Sequence, residues 1–370
     1  MTWATKDLLM QHRAQLIRFL AALIDQEAAQ VLVPAQEAGP GFWFGGGNSI
    51  CIGGDIYICG RYRNHGDSRT GLRVGQRGLE CAIFRSQDGG ASFEKVRDWS
   101  KADLSVGQRV VSIEGTALHA TPNGIELFIS TEQAIDYPAE FAEFQKPGTG
   151  VWRVDVMSAA DIASLRPDSL APVLSTDDPA YLHIKDPVVY DCDEGTALVF
   201  CHHPFCWSSS NSGLAIRPHG AVEFAMRSWE MVNRGPAWDV ACTRITCRLP
   251  VPRLGVFADS AAAIIFLYDG AECLREMPEN TAASRRPRGY SCEELGGAFF
   301  GRDDEFPALT RLSRLQPLFV SPHATGCSRY TQVLDTGDGL FATWQQAQAD
   351  GSQPLVGHHL SYDRISELLA

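Results

Sequence analysis

Residues 113–131 read IEGTALHATPNGIELFIST, and residues 185–203 read KDPVVYDCDEGTALVFCHH. In both stretches a polar or acidic residue introduces an apolar run, a glycine turn follows, and a second apolar run comes after the turn. Two strand-like runs joined by a glycine-containing turn are typical of a β-hairpin. The two stretches therefore predict a repeating hairpin whose first strand begins with a charged side chain.

The same hairpin pattern recurs elsewhere in the chain. Weaker copies occupy the stretches around 239–268 and 329–344, and GGGNSICIGGDIYICGRYR at 45–63 adds a fifth unit. The spacing of about 55–70 residues leaves room for four-stranded propeller blades, which need roughly 40–50 residues plus loops. The sequence predicts an all-β fold, a five-bladed β-propeller. Six blades, a jelly roll or a pair of β-sandwiches stay open.

Turn signals separate the predicted strands. The octapeptide SQDGGASF at 86–93 predicts a hairpin turn in which Ser86, Asp88 and Ser92 bond to the loop itself. Further signals are Pro122-Asn123-Gly124, Asp193-Glu194-Gly195, Asp269-Gly270, Gly337-Asp338-Gly339 and Asp350-Gly351.

The first 40 residues differ from the rest of the chain. Apolar residues spaced by three and four predict one helix face, made of Leu9, Leu16, Phe19, Leu20 and Ile24. The segment lacks the features of a secretory signal, and its apolar run is shorter than a membrane span requires. We expect a helical segment over 1–40, packed on the domain or at a dimer contact, and a propeller domain over 41–370. The sequence leaves a homo-oligomer open.

Amino-acid composition limits the classes of molecule that we expect the protein to bind. The 370 residues carry a net charge of −12 and have no block of Lys or Arg, which argues against nucleic acid and anionic membranes. The 11 cysteines include no CxxC pair, so we expect reduced core thiols and a cytoplasmic location. No phosphate loop or metal-binding motif is present in the sequence, and we expect neither cofactor nor metal.

Innermost propeller strands line a central channel, so polar residues at their starts converge from distant parts of the chain. The sequence offers carboxylates, cations and other polar groups at these positions. They are Asn48, Arg61, Arg63, Glu114, Lys185, Asp186, His202, His203, Asp239, Arg244, Glu293, Glu294, His323, Arg329 and Tyr330. Trp43, Trp207 and Trp238 lie near them in sequence and offer flat faces for sugar rings.

Two short motifs carry a resemblance to known families. SQDGGASF resembles the Asp-box, or BNR repeat, of sialidases, where it is a structural turn on the outer part of a blade. KDPVVYD resembles the Asp-Pro strand start of five-bladed arabinanase- and fructosidase-like glycosidases. The second resemblance implies three acids, of which Asp186 matches one and Glu114 is a plausible second, while Gly-Gly-Gly-Asn replaces the first-blade Asp. The first implies an arginine cluster and a tyrosine, parts that Arg61, Arg63, Arg329 and Tyr330 could take.

These residue types suit glycosidic cleavage, which needs one carboxylic acid to protonate the leaving oxygen and one carboxylate at the anomeric centre or its water. We expect a glycoside hydrolase-like enzyme acting on a small or anionic glycan. Asp186 and Glu114 are the expected catalytic carboxylates, as acid, base or orienting group, and Glu293 is a reserve acid. The expected substrate-binding residues are Arg61, Arg63, His203, Asp239, Arg329 and Tyr330. The alternatives are a non-catalytic sugar-binding propeller, or a lyase or isomerase that uses His and Tyr.

Overall fold

The computed structural model describes residues 3–64, 77–260, 262–274 and 294–370, with side chains from residue 6 onward. Its strands form five separate antiparallel sheets. The first sheet contains β2 (Trp43–Gly45), β3 (Ser49–Ile52), β4 (Asp55–Arg63), β5 (Glu80–Ser86) and β6 (Glu94–Ser100). The second contains β7 (Val110–Thr121), β8 (Gly124–Gln133), β9 (Val151–Ala159) and β10 (Ala171–Leu174).

The third sheet contains β11 (His183–Cys192), β12 (Gly195–His203), β13 (Asn211–Pro218) and β14 (Ala225–Ser228). The fourth contains β15 (Cys242–Pro250), β16 (Ala263–Ala271), β17 (Leu295–Arg302) and β18 (Thr310–Arg311). The fifth contains β19 (Ser328–Asp335), β20 (Gly339–Gln346), β21 (Leu355–Ser361) and β1 (Gln30–Val33). We call these sheets blades I to V.

The five blades close into a ring. The first strands of successive blades contact one another in the order β3, β7, β11, β15, β19 and back to β3. The predicted five-bladed propeller is therefore confirmed, and six blades, a jelly roll and a sandwich pair are excluded. Each of the five hairpin units read from the sequence forms the inner part of one blade.

Blade V joins the two ends of the chain. β1 pairs with β21 as the outermost strand of this blade, so the ring is closed by a strand from the segment for which the sequence predicts only a helix. β1 has only four residues, QVLV, which are too few to show an alternating pattern. Pairing the first strand with the last blade ties the ring together without a further connection.

Two helices cover one side of blades IV and V. α1 (Trp3–Leu23) packs with α2 (Tyr362–Leu369). The predicted helix face is buried in a shared core with residues of blades IV and V, which places α1 against its own propeller. The helices of the described ranges include none with both the length and the apolar character of a membrane span.

The predicted turn at 86–93 joins β5 to β6 on the outer side of blade I. The hydroxyl of Ser86 donates to Asp88 at 2.7 Å and accepts from the backbone of Gly90 at 2.8 Å. The backbone N–H and the hydroxyl of Ser92 both donate to the carboxylate of Asp88. These bonds hold the turn closed, as the sequence predicts.

Three of the inner strands carry a β-bulge at equivalent positions. β7, β11 and β19 each have an extra residue relative to the neighbouring strand at Glu114-Gly115, Asp186-Pro187 and Tyr330-Thr331, and β7 has a second one between Val110 and Ser112. In blade I the inner strand is interrupted between β2 and β3. A bulge re-aims the side chains at its position. Asp186 and Tyr330 also adopt left-handed backbone angles, with φ of 53° and 55°, a strained conformation that clusters at functional sites.

Candidate active site on the propeller axis

A buried arginine joins three carboxylates at the start of the inner strands. Arg244 of β15 donates to Asp186 at 3.2 Å, to Asp269 at 2.8 Å and to Glu294 at 2.7 Å. The backbone N–H of Tyr330 donates to both oxygens of Asp269, at 3.1 and 3.0 Å. We call Arg244 and these three acids the arginine hub. The hub connects blades III, IV and V.

A second ion pair extends the cluster to blades I and II. Arg61 donates to Glu114 through Nε at 3.1 Å and through Nη2 at 2.8 Å. Lys185 places its ammonium 3.7 Å from Asp186, and the backbone N–H of Gly115 donates to Asp186 at 3.0 Å. Since Gly115 follows Glu114 directly, this bond fixes the two bulges against each other. All five blades therefore contribute to one cluster.

Position 115 has room only for glycine, because Asp186 packs directly against it. A Cβ there would lie 2.5 Å from Oδ1 and 2.7 Å from Cα of Asp186. We expect Gly115→Ala to lower the free energy of unfolding by about 3 kcal/mol, because backbone and carboxylate must both move. Urea denaturation measures the loss. Gly89→Ala is the control, because its Cβ would meet nothing within 4 Å and only its positive φ adds strain, roughly 1 kcal/mol. Equal losses in the two variants would contradict this packing.

Aromatic side chains border the cluster on two sides. On the side of blades I and V, Trp43 lies 4.4 Å from the guanidinium of Arg63 and 4.4 Å from that of Arg329. Arg329 also pairs with Glu294. Partly exposed tryptophan faces beside charged groups suit a ligand with both apolar faces and hydroxyls, as sugars have.

On the side of blades II and III, the ammonium of Lys185 lies 5.6 Å from the ring of Trp207. Trp207 in turn stacks on His183 and His203, with ring centroids 4.4 Å apart in both cases. It also has a positive φ of 55°. The two histidine rings thus hold a partly exposed tryptophan in a strained backbone conformation at the edge of the cluster.

The two most exposed carboxylates of the cluster are ionised at neutral pH. Burial disfavours the charge of Glu114, but the charges of Arg61, Lys185 and Arg63 outweigh burial and lower its pKa. Burial likewise opposes ionisation of Glu294, and Arg244 and Arg329 together hold its pKa well below the ordinary value. Both groups therefore suit the role of base, nucleophile or stabiliser of positive charge, whereas a proton donor needs a raised pKa.

Asp269 behaves in the opposite way. Burial raises its pKa to about 6, with Arg244 opposing and Glu294 reinforcing the shift. The folded protein therefore binds this proton more tightly than the unfolded chain, in which Asp titrates near pH 4. This contribution to the free energy of unfolding is complete below about pH 4 and is lost as the pH rises through about 6.

A pH series tests this titration. We expect wild type to lose stability relative to Asp269→Asn between pH 4 and pH 7, because the amide has no proton to release. Urea denaturation of both proteins at each pH gives the difference, and groups common to both cancel. Parallel curves over this range would contradict the assignment.

The space on the axis below the hub is narrow. A cavity of about 10 Å³ is lined by Thr116, Asp186, Arg244, Tyr330 and their neighbours. That volume holds roughly one water molecule. The partly exposed Trp43 and Trp207 border one side of the cluster, which we call the mouth.

Most of the predicted site residues come together here. The cluster contains Glu114, Asp186, Arg61, Arg63, Arg329 and Tyr330. His203 lies at its edge, where Nδ1 contacts the carbonyl of Ser209 at 3.0 Å, and burial lowers its pKa well below the ordinary value, so the ring is neutral. Glu293 lies outside the described residues, whereas its neighbour Glu294 belongs to the hub.

Asp239 is not brought into the cluster. Its carboxylate is fully buried between blade strands, where it accepts from the hydroxyl of Tyr268 at 2.9 Å and from Arg311 at 2.6 Å. Arg311 belongs to the outermost strand of blade IV, so these contacts hold the blade together. We leave Asp239 out of the proposed site.

Asp269 belongs to the arginine hub, although the sequence pattern does not predict it there. The sequence pattern predicts a turn at Asp269-Gly270, but β16 continues through Ala271 and Asp269 pairs in register with Arg244. Aspartate before glycine is a common turn signal, and here tertiary pairing overrides it. The sequence does contain one signal for Asp269. The long apolar run AAAIIFLYD ends in this charged residue, and the preceding strand carries an arginine.

The cationic group that contacts the three carboxylates of the arginine hub is the guanidinium of Arg244. Among the side chains that the structure describes, no three His, Cys, Asp or Glu residues group as a metal site requires. Arg244 lies between Asp186, Asp269 and Glu294, and Lys185 and Arg329 add positive charge beside Asp186 and Glu294.

No protein-family model and no curated protein sequence matches the chain. Solved structures do match it in fold. A thermostable family-43 glycoside hydrolase superposes with a TM-score of 0.59 at 8% identity, covering 89% of this chain and 93% of its own. An α-L-arabinofuranosidase from Lactobacillus brevis gives 0.55 at 10% identity, covering 92% and 93%.

A family 117 glycoside hydrolase from the marine bacterium Zobellia galactanivorans gives a TM-score of 0.55 at 11% identity and covers 90% of each chain. Likeness at such low identity concerns the fold. The chain shares the propeller fold of these glycoside hydrolases over nearly its whole length.

Proposed function

We propose that the protein is a glycoside hydrolase that binds a small or anionic glycan at the mouth and cleaves it by carboxylate chemistry. The observation that carries the proposal is the convergence of Glu114, Asp186 and Glu294 from three different blades into one cluster bordered by Trp43 and Trp207. The fold shared with family-43 and family-117 glycoside hydrolases supports the same function.

The three carboxylates differ in their surroundings, which suggests different roles. Glu294 and Glu114 have 15% and 7% of their side chains exposed, more than Asp186 at 5%. We assign Glu114 and Glu294 to contact with the substrate. Asp186 is fixed by Gly115 and Arg244, and we assign it to orienting the cluster.

A screen of aryl glycosides and oligosaccharides tests the proposal. We expect wild type to cleave at least one class, and Glu114→Gln and Asp186→Asn to cleave it far more slowly. Because substrate identity is open, the screen includes pentosides, hexosides and uronides. Failure to cleave any of them, with intact folding, would contradict hydrolysis.

A sugar-binding protein without catalysis is the second candidate. It is favoured by the arginine partners of all three carboxylates and by Gly45-Gly46-Gly47, which places no acid at the start of blade I. Sugar binding without turnover would select this candidate.

A sialidase-like activity receives no support from the comparisons. A lyase or isomerase would need proton transfer by His203 or Tyr330, and both ring nitrogens of His203 are already occupied, Nδ1 by the carbonyl of Ser209 and Nε2 by the sulfur of Cys201.

A further inference from the structure

Two arginines from different blades share one tryptophan at the mouth. Arg63 ends β4 of blade I and Arg329 lies in β19 of blade V, and both guanidiniums lie 4.4 Å from the ring of Trp43. Their side chains are 17% and 10% exposed, whereas Arg61 and Arg244 are 1% exposed. A ligand at the mouth therefore meets Arg63 and Arg329 first.

Positive charge is crowded around Arg63, whereas carboxylate neighbours outweigh burial and raise the pKa of Arg61 and Arg244. Burial lowers the pKa of Arg63 to about 10, and Arg61, Arg329 and Arg77 add to that effect while Glu114 opposes it. Holding several guanidiniums together in a desolvated site costs free energy. An anion bound between Arg63 and Arg329 would relieve that repulsion.

Arg329 can change partners without dismantling the cluster. Glu294 is held by both Arg329 and Arg244. Arg244 also bonds Asp186 and Asp269, so it stays in place when Arg329 moves. Trp43 and the backbone of β19 keep Arg329 at the mouth during such an exchange.

We propose that the substrate carries a carboxylate, as uronic acids do, that Arg63 and Arg329 bind this group beside Trp43, and that the incoming anion takes Arg329 away from Glu294. The inference rests on the proposed function and narrows its substrate to an acidic sugar. Once Glu294 has lost one of its two guanidinium partners, it takes up a proton more readily. Substrate binding thereby prepares Glu294 to protonate the leaving oxygen, a role that it cannot fill while both arginines hold it.

Matched sugars test the binding site without relying on cleavage. Tryptophan fluorescence or calorimetry compares glucuronate with glucose and galacturonate with galactose. We expect at least one uronate to bind roughly tenfold or more tightly than its neutral partner, as charge-assisted bonds predict. Arg63→Gln should reduce uronate affinity by about tenfold and reduce the affinity for neutral sugars by much less. Arg85→Gln, at the Asp55 ion pair of blade I, is the control and should change neither.

Glu294→Gln tests the exchange itself. Removing the competing charge should raise uronate affinity about fivefold, with thermal melting confirming that the variant folds. Equal binding of acidic and neutral sugars, or absence of uronate binding by wild type, would overturn the inference. Unchanged or weaker uronate binding by Glu294→Gln would overturn the exchange. Cleavage of neutral glycosides together with equal binding would overturn the acidic-sugar inference and leave the hydrolase proposal standing.

Discussion

Arg244→Met is expected to lower the free energy of unfolding by about 3–5 kcal/mol at pH 7, because it removes the cationic partner of the buried Asp269. It also removes one of the two cationic partners that the structure describes for Asp186 and for Glu294. Arg244 is 1% exposed and contacts Asp186, Asp269 and Glu294 within 3.2 Å. Methionine fills similar volume but balances none of these charges. Urea denaturation monitored by tryptophan fluorescence measures the loss.

Arg85→Met is the matched control. Arg85 of β5 pairs with Asp55 of β4, but the two side chains are 32% and 21% exposed. Exposed pairs contribute about 1 kcal/mol or less. If the two variants lost equal stability, the arginine hub would not hold the inner strands together as we infer.

Glu294→Gln and Glu114→Gln are each expected to reduce kcat/KM by about 10²- to 10⁴-fold on the substrate that the screen identifies, the range that one acid–base group contributes. Glutamine keeps the shape and one accepting oxygen but can neither donate a carboxylic proton nor act as a charged nucleophile. Steady-state kinetics of both variants measures the loss.

A surface glutamate provides the comparison. Glu367 of α2 pairs with Arg364 and has 66% of its side chain exposed. Glu367→Gln should retain full activity. Thermal melting of all three variants separates loss of chemistry from loss of folding, since Glu114 also balances the buried Arg61. Full activity of both axial variants would exclude them from catalysis.

The blade count could be predicted because each inner hairpin repeats the same local pattern. Units such as 113–131 and 185–203 show strand, turn and strand within about twenty residues, so local physics is enough to find them. β1 could not be found this way. Its four residues gain strand structure only by pairing with β21 at the other end of the chain.

The cluster could be predicted in outline for a related reason. Glu114, Asp186 and Tyr330 stand at equivalent places in their hairpins, so a ring of blades brings them together. Asp239 also precedes an inner strand, but its carboxylate turns into blade IV toward Arg311. Asp269 lies in the second strand, β16, and Glu294 directly precedes the third, β17. Only the pairing of β16 with β15 and of β17 with β16 shows that both face Arg244.

A crystal structure of Glu294→Gln with a cleaved or bound sugar from the screen tests the central claim most directly. The claim is that side chains from all five blades form one sugar site on the propeller axis. We predict a sugar ring at the mouth between Trp43 and Trp207, with hydroxyls within hydrogen-bond distance, about 3 Å, of Glu114 or Lys185. A sugar bound on the outer surface of a blade, with the mouth empty of ligand, would contradict it.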